Sequence, residues 1–273
     1  MINAITIDVE DWFHVCGCDR EPVEPPRPGR VLGNVEKILA LLAAYETRAT
    51  FFVLGSVAEQ EPSLVPLIAS GGHEIASHGY SHRPSPQLGP EGFRHELRLT
   101  GEILERQGGT RPIGFRSPQW SLRREDSWAF EILRDEGYRY DSSLNPLPFV
   151  GDRSGPRLPF SIRTSTGDLL EIPPMVTRSP IGNLPTGGGW GFRFFPTRMI
   201  GATVREYNLR GAPAVLYLHP REMDPDGPRL ALSPLRRFAV YGTRRDAGRS
   251  LRYMLDRFRF GTMKQLVESW EAA

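Results

Sequence analysis

The stretch "TIDVEDWFHV", residues 6–15, begins as an apolar strand and runs at once into Asp8, Glu10, Asp11 and His14. Residues two apart on a strand point to the same face. If the strand continues past Asp8, Glu10 therefore shares the face of Asp8 while Val9 turns into the apolar layer. If it ends at Asp8, the loop is free to bring Asp11 inward instead. Either acid can stand beside Asp8, and the rest of the chain decides what the end of this strand opens onto.

Short apolar runs alternate with longer helical patterns along the chain. Residues 4–8, 49–54, 74–76, 114–115, 138–140, 169–172 and 214–218 read as strands. Residues 35–45, 64–69, 93–106, 127–136, 198–209 and 246–257 carry apolar side chains at helical spacing. This alternation predicts βαβ units and a parallel sheet, with little regularity between 141 and 196 beyond the one strand at 169–172. Each polar cluster follows a strand: the acids of 8–11, "SHGYSH" (77–82), "FRSPQW" (115–120), "YDSS" (140–143) and "LHPRE" (218–222). In a parallel α/β barrel the carboxyl ends of the strands share one mouth, where catalytic groups converge. The crowded acids stand where such a site would be built.

The 273 residues, 39% of them hydrophobic, can bury one substantial core, so a single domain over 1–273 is expected. Lys plus Arg number 34 against 32 Asp plus Glu, and the net charge of +2 gives no overall field to recruit nucleic acid or an anionic membrane. No charged segment followed by an apolar run precedes Ala4, and no apolar stretch is long enough to span a bilayer. The chain as given reads as cytoplasmic and not membrane-spanning, with attachment to a membrane through a biosynthetic complex left open. Cys16 and Cys18 are too few for a disulfide framework or a four-thiolate zinc site, and read as two free cysteines.

His78 and His82 lie four apart, which on a helical turn sets both imidazoles on one side within reach of one divalent ion. A carboxylate from Glu10 or Asp11 could complete a His-His-carboxylate set with open positions for water and substrate. An H-x3-H pair alone is more often two ordinary histidines, and no glutamate follows His78 as in the zincin pattern. It is the coincidence with the acidic strand end that points to a metal.

Taken in order, "TIDVED", "SHGYSH", "FRSPQW", "YDSS" and "LYLHP" resemble the motifs of the NodB-type polysaccharide deacetylases, carbohydrate esterase family 4, over residues 5–220. The stretches "DVEDWFHV", "TGGGWGFRFFP", "LHPREMDP" and "DRFRFGTM" resemble most the subgroup associated with the exosortase/PEP-CTERM exopolysaccharide systems, which makes 221–273 a subgroup-specific extension. The resemblance implies a deformed, seven-stranded (β/α) barrel. It also implies hydrolysis of N-acetyl groups on an amino-sugar polysaccharide or oligosaccharide, in exopolysaccharide biosynthesis, with a divalent ion, zinc, as cofactor. Many members carry two adjacent aspartates where this chain has Asp8, Val9, Glu10 and Asp11, and others an Asp-x-Asp spacing that maps onto Asp8 and Glu10. The metal ligands implied are thus His78, His82 and Glu10 or Asp11. Gln119 stands where an aromatic residue is common.

The roles implied follow from the same match. Asp8 takes a proton from water, Arg116 orients Asp8, and His219 protonates the departing amine, since an amide anion cannot leave. Asp141 holds His219 in its working tautomer, and a backbone N–H near Gln119 helps to stabilise the oxyanion. Trp12, His14 and Trp120 could line a sugar subsite, because aromatic faces suit pyranose rings, with Gln119 as a further substrate-binding residue in the wall. "PTGGGWGF" (185–192) lacks the strand and lysine of a phosphate loop and reads as a loop over the site. The arginines of 235–245 read as a solvated surface. Two other functions stay in view, an amidohydrolase of the same fold acting on a small cyclic amide and a non-catalytic glycan-binding module. The His pair beside a carboxylate speaks against the first, and the full set Asp8, His78, His82, Arg116 and His219 against the second.

Overall fold

Strand β1 (Asn3–Val9) is buried along its whole length, and its two faces divide the molecule. Ile5, Ile7 and Val9 enter the large apolar cluster shared with the helices, whereas Ala4 faces an interior cluster with Phe52, Ala76 and Tyr140. Thr6 and Asp8 continue that inner face, since both side chains bond Arg116. The alternation of apolar and polar residues is thus what turns the acid of β1 inward.

The computed structural model describes residues 1–15, 29–148, 150–242 and 247–272. Cys16, Cys18 and residues 243–246 lie outside these, and with them the expectations placed there. After β1 the strands are β2 (Thr50–Val53), β3 (Glu74–Ser77), β4 (Gly114–Phe115), β5 (Tyr140–Asp141), β6 (Phe160–Thr164), β7 (Gly167–Glu171), β8 (Thr177–Ser179), β9 (Gly182–Leu184), β10 (Val215–Leu218) and β11 (Phe260–Gly261). The main sheet runs β10-β1-β2-β3-β4-β5-β7-β6, with β11 paired to the start of β1. From β10 to β7 it is seven parallel strands, as expected, but β6 adds an antiparallel edge. Its two ends, β10 and β6, do not pair, so the sheet is a curled half-barrel rather than a closed one.

The helices pack outside it: α1 (Val31–Ala44), α2 (Gly55–Gln60), α3 (Leu64–Ser70), α4 (Ser85–Gly108), α5 (Ser127–Asp135), α6 (Gly189–Phe194), α7 (Thr197–Leu209), α8 (Pro234–Tyr241) and α9 (Ala247–Leu255). In α1, Val31, Val35, Ile38 and Leu42 recur at helical spacing and are all buried. The pattern of α4 reads only from Phe93 because Gly89, at φ 66, and Pro90 break its first turns. The last helix, α10 (Met263–Glu271), sends Met263, Leu266 and Val267 into the interior cluster with Ala4, Phe52 and Val215. It plugs the amino-terminal end of the sheet and leaves the carboxyl ends as the open mouth.

Between 141 and 196 the structure is more regular than the sequence suggests. β6 pairs with β7 as a hairpin, and β8 with β9 as a separate ribbon. β6 was unreadable because its residues alternate only between half-buried and exposed. The glycine stretch is not a simple loop either. Gly188 bridges to Tyr217 of β10, the Tyr217 N–H donates to the Gly187 carbonyl at 2.9 Å, and α6 follows directly.

Candidate active site

Arg116 organises the inner face. It follows β4, is 0% exposed, and its guanidinium lies 4.1 Å from the Phe52 ring centroid and 4.9 Å from that of Trp120. Its Nη1 donates to Asp8 Oδ1 at 2.6 Å and to Thr6 Oγ1 at 2.7 Å, while Nε and Nη2 donate to the Ser142 carbonyl and hydroxyl at 3.2 and 2.9 Å. A buried guanidinium keeps its charge at tolerable cost only when its donors are met in this way. Asp8 is thereby held by one oxygen and turned toward the mouth with the other.

Glu10 reaches the same side by a different route from strand alternation. β1 ends at Val9, and the Glu10 N–H donates to the Asp8 carbonyl at 2.9 Å, closing a three-residue turn. Glu10 Oε1 then stands 3.2 Å from His78 Nε2 and 3.0 Å from His82 Nε2. Burial would raise the Glu10 carboxyl, but the charges of His82 and His219 and hydrogen bonds from His78 and His82 outweigh it and hold it well below the usual carboxylate range.

The two histidines are not on a helical turn, as their spacing suggested. They lie in the loop after β3, where Gly79 takes φ 74 and His82 itself φ 61. A left-handed histidine is a costly conformation that the surroundings must impose. Glu96 of α4 holds the loop just before it: its carboxylate accepts from the Tyr80 and Ser81 N–H groups at 2.9 and 3.2 Å and from the Ser81 hydroxyl at 2.5 Å. His78 Nδ1 donates to the Arg116 carbonyl at 2.8 Å, which orients the ring with Nε2 facing Glu10 and the cluster. Glu10, His78 and His82, all buried, bring three ligand atoms within 4.8 Å of one another. Two imidazole nitrogens and one ionised carboxylate suit a divalent ion of borderline softness.

Asp11 is not in that cluster. Its Oδ1 accepts from the Trp12 N–H at 2.7 Å, and both its oxygens accept from the Arg30 N–H at 3.0 Å. It caps the start of α1, which has no cap from its own Arg30 side chain. Burial pushes the Asp11 carboxyl up in spite of these bonds.

His219, directly after β10, places Nε2 3.9 Å from Asp8 Oδ2 and 3.9 Å from Glu10 Oε2. Its Nδ1 lies 3.3 Å from Glu222 Oε1, so the residue that orients its ring is Glu222 and not Asp141. Burial raises the Glu222 carboxyl, but its hydrogen bond and charge contact with His219 and the charges of Arg193 and Arg221 bring it below the ordinary value. The signal lay in "HPRE": proline opens the 3-10 turn Pro220–Met223, and side chains three apart eclipse on such a turn. Asp141 instead accepts from the Ser143 hydroxyl at 2.5 Å, and its second oxygen shares a hydrogen bond with Glu171.

Of the residues expected at the substrate, Trp12 and Gln119 are partly exposed; Trp12 borders a small depression with Arg221, Glu222 and Tyr241. His14 is buried with its ring centroid 5.4 Å from that of His82, and its Nδ1 accepts from the Asp11 N–H at 3.1 Å. Burial, with the charge of His82, drives its pKa down to about 3, so the ring is neutral with its hydrogen on Nε2. Trp120 is buried against Tyr217 at 4.9 Å. Gln119 donates to the His82 carbonyl at 3.2 Å. Both Gln119 and Trp120 take left-handed backbone, φ 58 and 53, a costly conformation that the surrounding contacts must impose.

Comparison with known proteins divides the chain between two family models. Residues 28–140 match the family model described as polysaccharide deacetylase, and residues 142–268 match that of a domain of unknown function, DUF3473. A peptidoglycan-N-acetylglucosamine deacetylase of Bacillus cereus is 38% identical over 96 residues, 35% of each chain. A peptidoglycan deacetylase of Helicobacter pylori is 29% identical over 189 residues, 62% of this chain and 63% of that one. The chain thus spans less than two thirds of either relative's length. A solved structure from Mycobacterium smegmatis, assigned as a polysaccharide deacetylase, superposes with a TM-score of 0.61 over 88% of this chain and 77% of the other, at 24% identity, and shares the fold. Residues 28–140 are thus similar to the polysaccharide deacetylase family, and the segment that matches DUF3473 follows.

Proposed function

We propose that the protein hydrolyses N-acetyl groups of amino sugars in a polysaccharide or its oligosaccharide precursor. The observation that carries this reading is the convergence of Asp8 Oδ2, Glu10 Oε2 and His219 Nε2, with 3.9 Å from the imidazole to either acid, at the edge of the Glu10–His78–His82 cluster. A divalent ion, zinc by the donor set, held by Glu10, His78 and His82 would lower the pKa of water and polarise the acetyl carbonyl. Asp8, fixed by Arg116, receives the proton from the water whose oxygen forms the new bond to the acetyl carbon. His219, oriented by Glu222, delivers a proton to the nitrogen as the C–N bond breaks, giving acetate and a free amine. The relatives named above are peptidoglycan deacetylases, which favours amino-sugar substrates, and the motif resemblance supports a role in exopolysaccharide biosynthesis.

The test is acetate release from a panel of N-acetylglucosamine oligomers, paired with elemental analysis of the protein. His219→Ala should keep its metal and lose about two to four orders of magnitude in turnover. Its loss on an activated acetate ester, whose leaving group needs no proton, should be far smaller. Equal losses on both substrates reject the role, and a metal-loaded protein that releases no acetate from any oligomer rejects the function.

A further inference from the structure

Among the described residues, Arg221 brings a cation onto the ligand cluster. Arg221 Nη1 donates to Glu10 Oε2 at 2.7 Å and to the His14 carbonyl at 2.9 Å, and its side chain is mostly buried. Glu10 thus divides its two oxygens, with Oε1 turned to both histidine Nε2 atoms and Oε2 to the guanidinium. A glutamate has one more rotatable bond than an aspartate, and ordering it costs correspondingly more side-chain entropy. Arg221 supplies that order from the 3-10 turn that also carries His219 and Glu222, and it ties the carboxylate to the backbone of the loop after β1.

We infer that Arg221 is a positioning residue that orients Glu10 and thereby sets the affinity of the cluster for a divalent cation. The inference rests on the reading of Glu10, His78 and His82 as a metal site. Two effects of opposite sign compete. A guanidinium near a bound cation repels it, so if charge dominates, removing Arg221 tightens binding. If orientation dominates, removal weakens it, and loss of an outer hydrogen-bond partner typically costs about 10–100-fold in metal affinity. The geometry favours orientation: one guanidinium nitrogen binds the carboxylate oxygen that faces away from both histidines, and the same nitrogen holds the loop that carries the carboxylate.

The experiment is a zinc titration of the full chain against a chromophoric chelator, with thermal melts of the metal-free protein alongside. Arg221→Met should weaken zinc binding by about 10–100-fold. Arg221→Lys, which keeps a charged donor at the same reach, should restore most of that loss. An Arg221→Met protein whose zinc affinity is unchanged within twofold, or tighter, overturns the inference. Should Arg221→Met fail to fold, Glu10→Asp decides. It withdraws the carboxylate from an intact Arg221 and must weaken zinc about tenfold or more; unchanged affinity there is equally fatal. An unaltered chain that binds no zinc overturns the metal reading as well, whereas normal binding by the unaltered chain and by Arg221→Met sinks this inference alone.

Discussion

Three acids within four residues meet three different fates. Asp8 is held by Arg116 on the inner face of β1, Glu10 turns its Oε1 to the two histidines, and Asp11 caps α1. Their substitutions should separate cleanly. Glu10→Gln should weaken zinc binding at least tenfold, because a neutral amide oxygen replaces an ionised ligand. Asp11→Ala should bind zinc as the unaltered chain does and lose about 0.5–2 kcal/mol of stability, the usual worth of a helix cap. Urea melts and metal titration of the two variants check this, and loss of zinc in Asp11→Ala would show that the wrong carboxylate has been assigned. The alternation of side chains made the inward face of Asp8 readable, whereas Glu10 arrives by a backbone turn that no periodicity announces. Glu222 and Arg221 went unread because they act only through a turn that folds back over β1.

Behind Arg116, β5 and β7 bring two carboxyls together. Asp141 and Glu171 are both buried, and Asp141 Oδ2 and Glu171 Oε2 have no other hydrogen-bond partner, so one proton between them satisfies both. Burial, offset in part by bonds from Glu171, Ser143 and Ser142, pushes the Asp141 carboxyl up from 3.8 to about 6. Burial and the adjacent Asp141 push Glu171 well above its ordinary value. The folded chain therefore binds protons that the unfolded chain has released, and stability falls as pH rises from about 4 through 6 and beyond. At about 1.4 kcal/mol per pKa unit, the Asp141 shift alone is worth on the order of 2–3 kcal/mol. Glu171→Gln, which donates a hydrogen bond to Asp141 without a charge, should flatten the decline in unfolding free energy between pH 5 and 8. An equally steep decline in the variant would remove this account.

The glycine strap beside β10 makes a second prediction about an element. A Cβ on Gly188 would come within 2.3 Å of the Tyr217 carbonyl oxygen, and one on Gly187 within 2.2 Å of that of Met175. These residues are glycine because backbone meets backbone there. Gly188→Ala should cost about 1–3 kcal/mol by overpacking. Gly33→Ala, in open space on α1, should cost nothing and can gain up to about 1 kcal/mol. Chemical denaturation of the pair tests it, and two equal effects would refute the close approach.

Over the molecule as a whole, α10 closes one end of the half-barrel and every group of the site lies at the other. Among the described residues no helix is long and apolar enough to cross a membrane. An ion bound only by the folded chain stabilises it by mass action, about 4 kcal/mol when present at a thousand times its dissociation constant. Saturating zinc should therefore raise the melting temperature of the unaltered protein, and the His78→Ala/His82→Ala protein should show no rise. A rise of equal size in both would place the ion elsewhere.

The parallel strands, most of the helices and the gathering of polar clusters at one end are local consequences of spacing, since a side-chain period belongs to each segment independently of its neighbours. For that reason they could be read from residues 6–15 outward. The left-handed backbone of His82, Gln119 and Trp120, the partner of His219 and the capping role of Asp11 are different. Each depends on a group distant in the chain or on a turn whose geometry packing imposes: Glu96 holds the loop of His82, α1 receives Asp11, and Arg221 comes from beyond β10 to hold Glu10. Contacts of this kind have no period along the chain, and only the folded arrangement brings their two sides together.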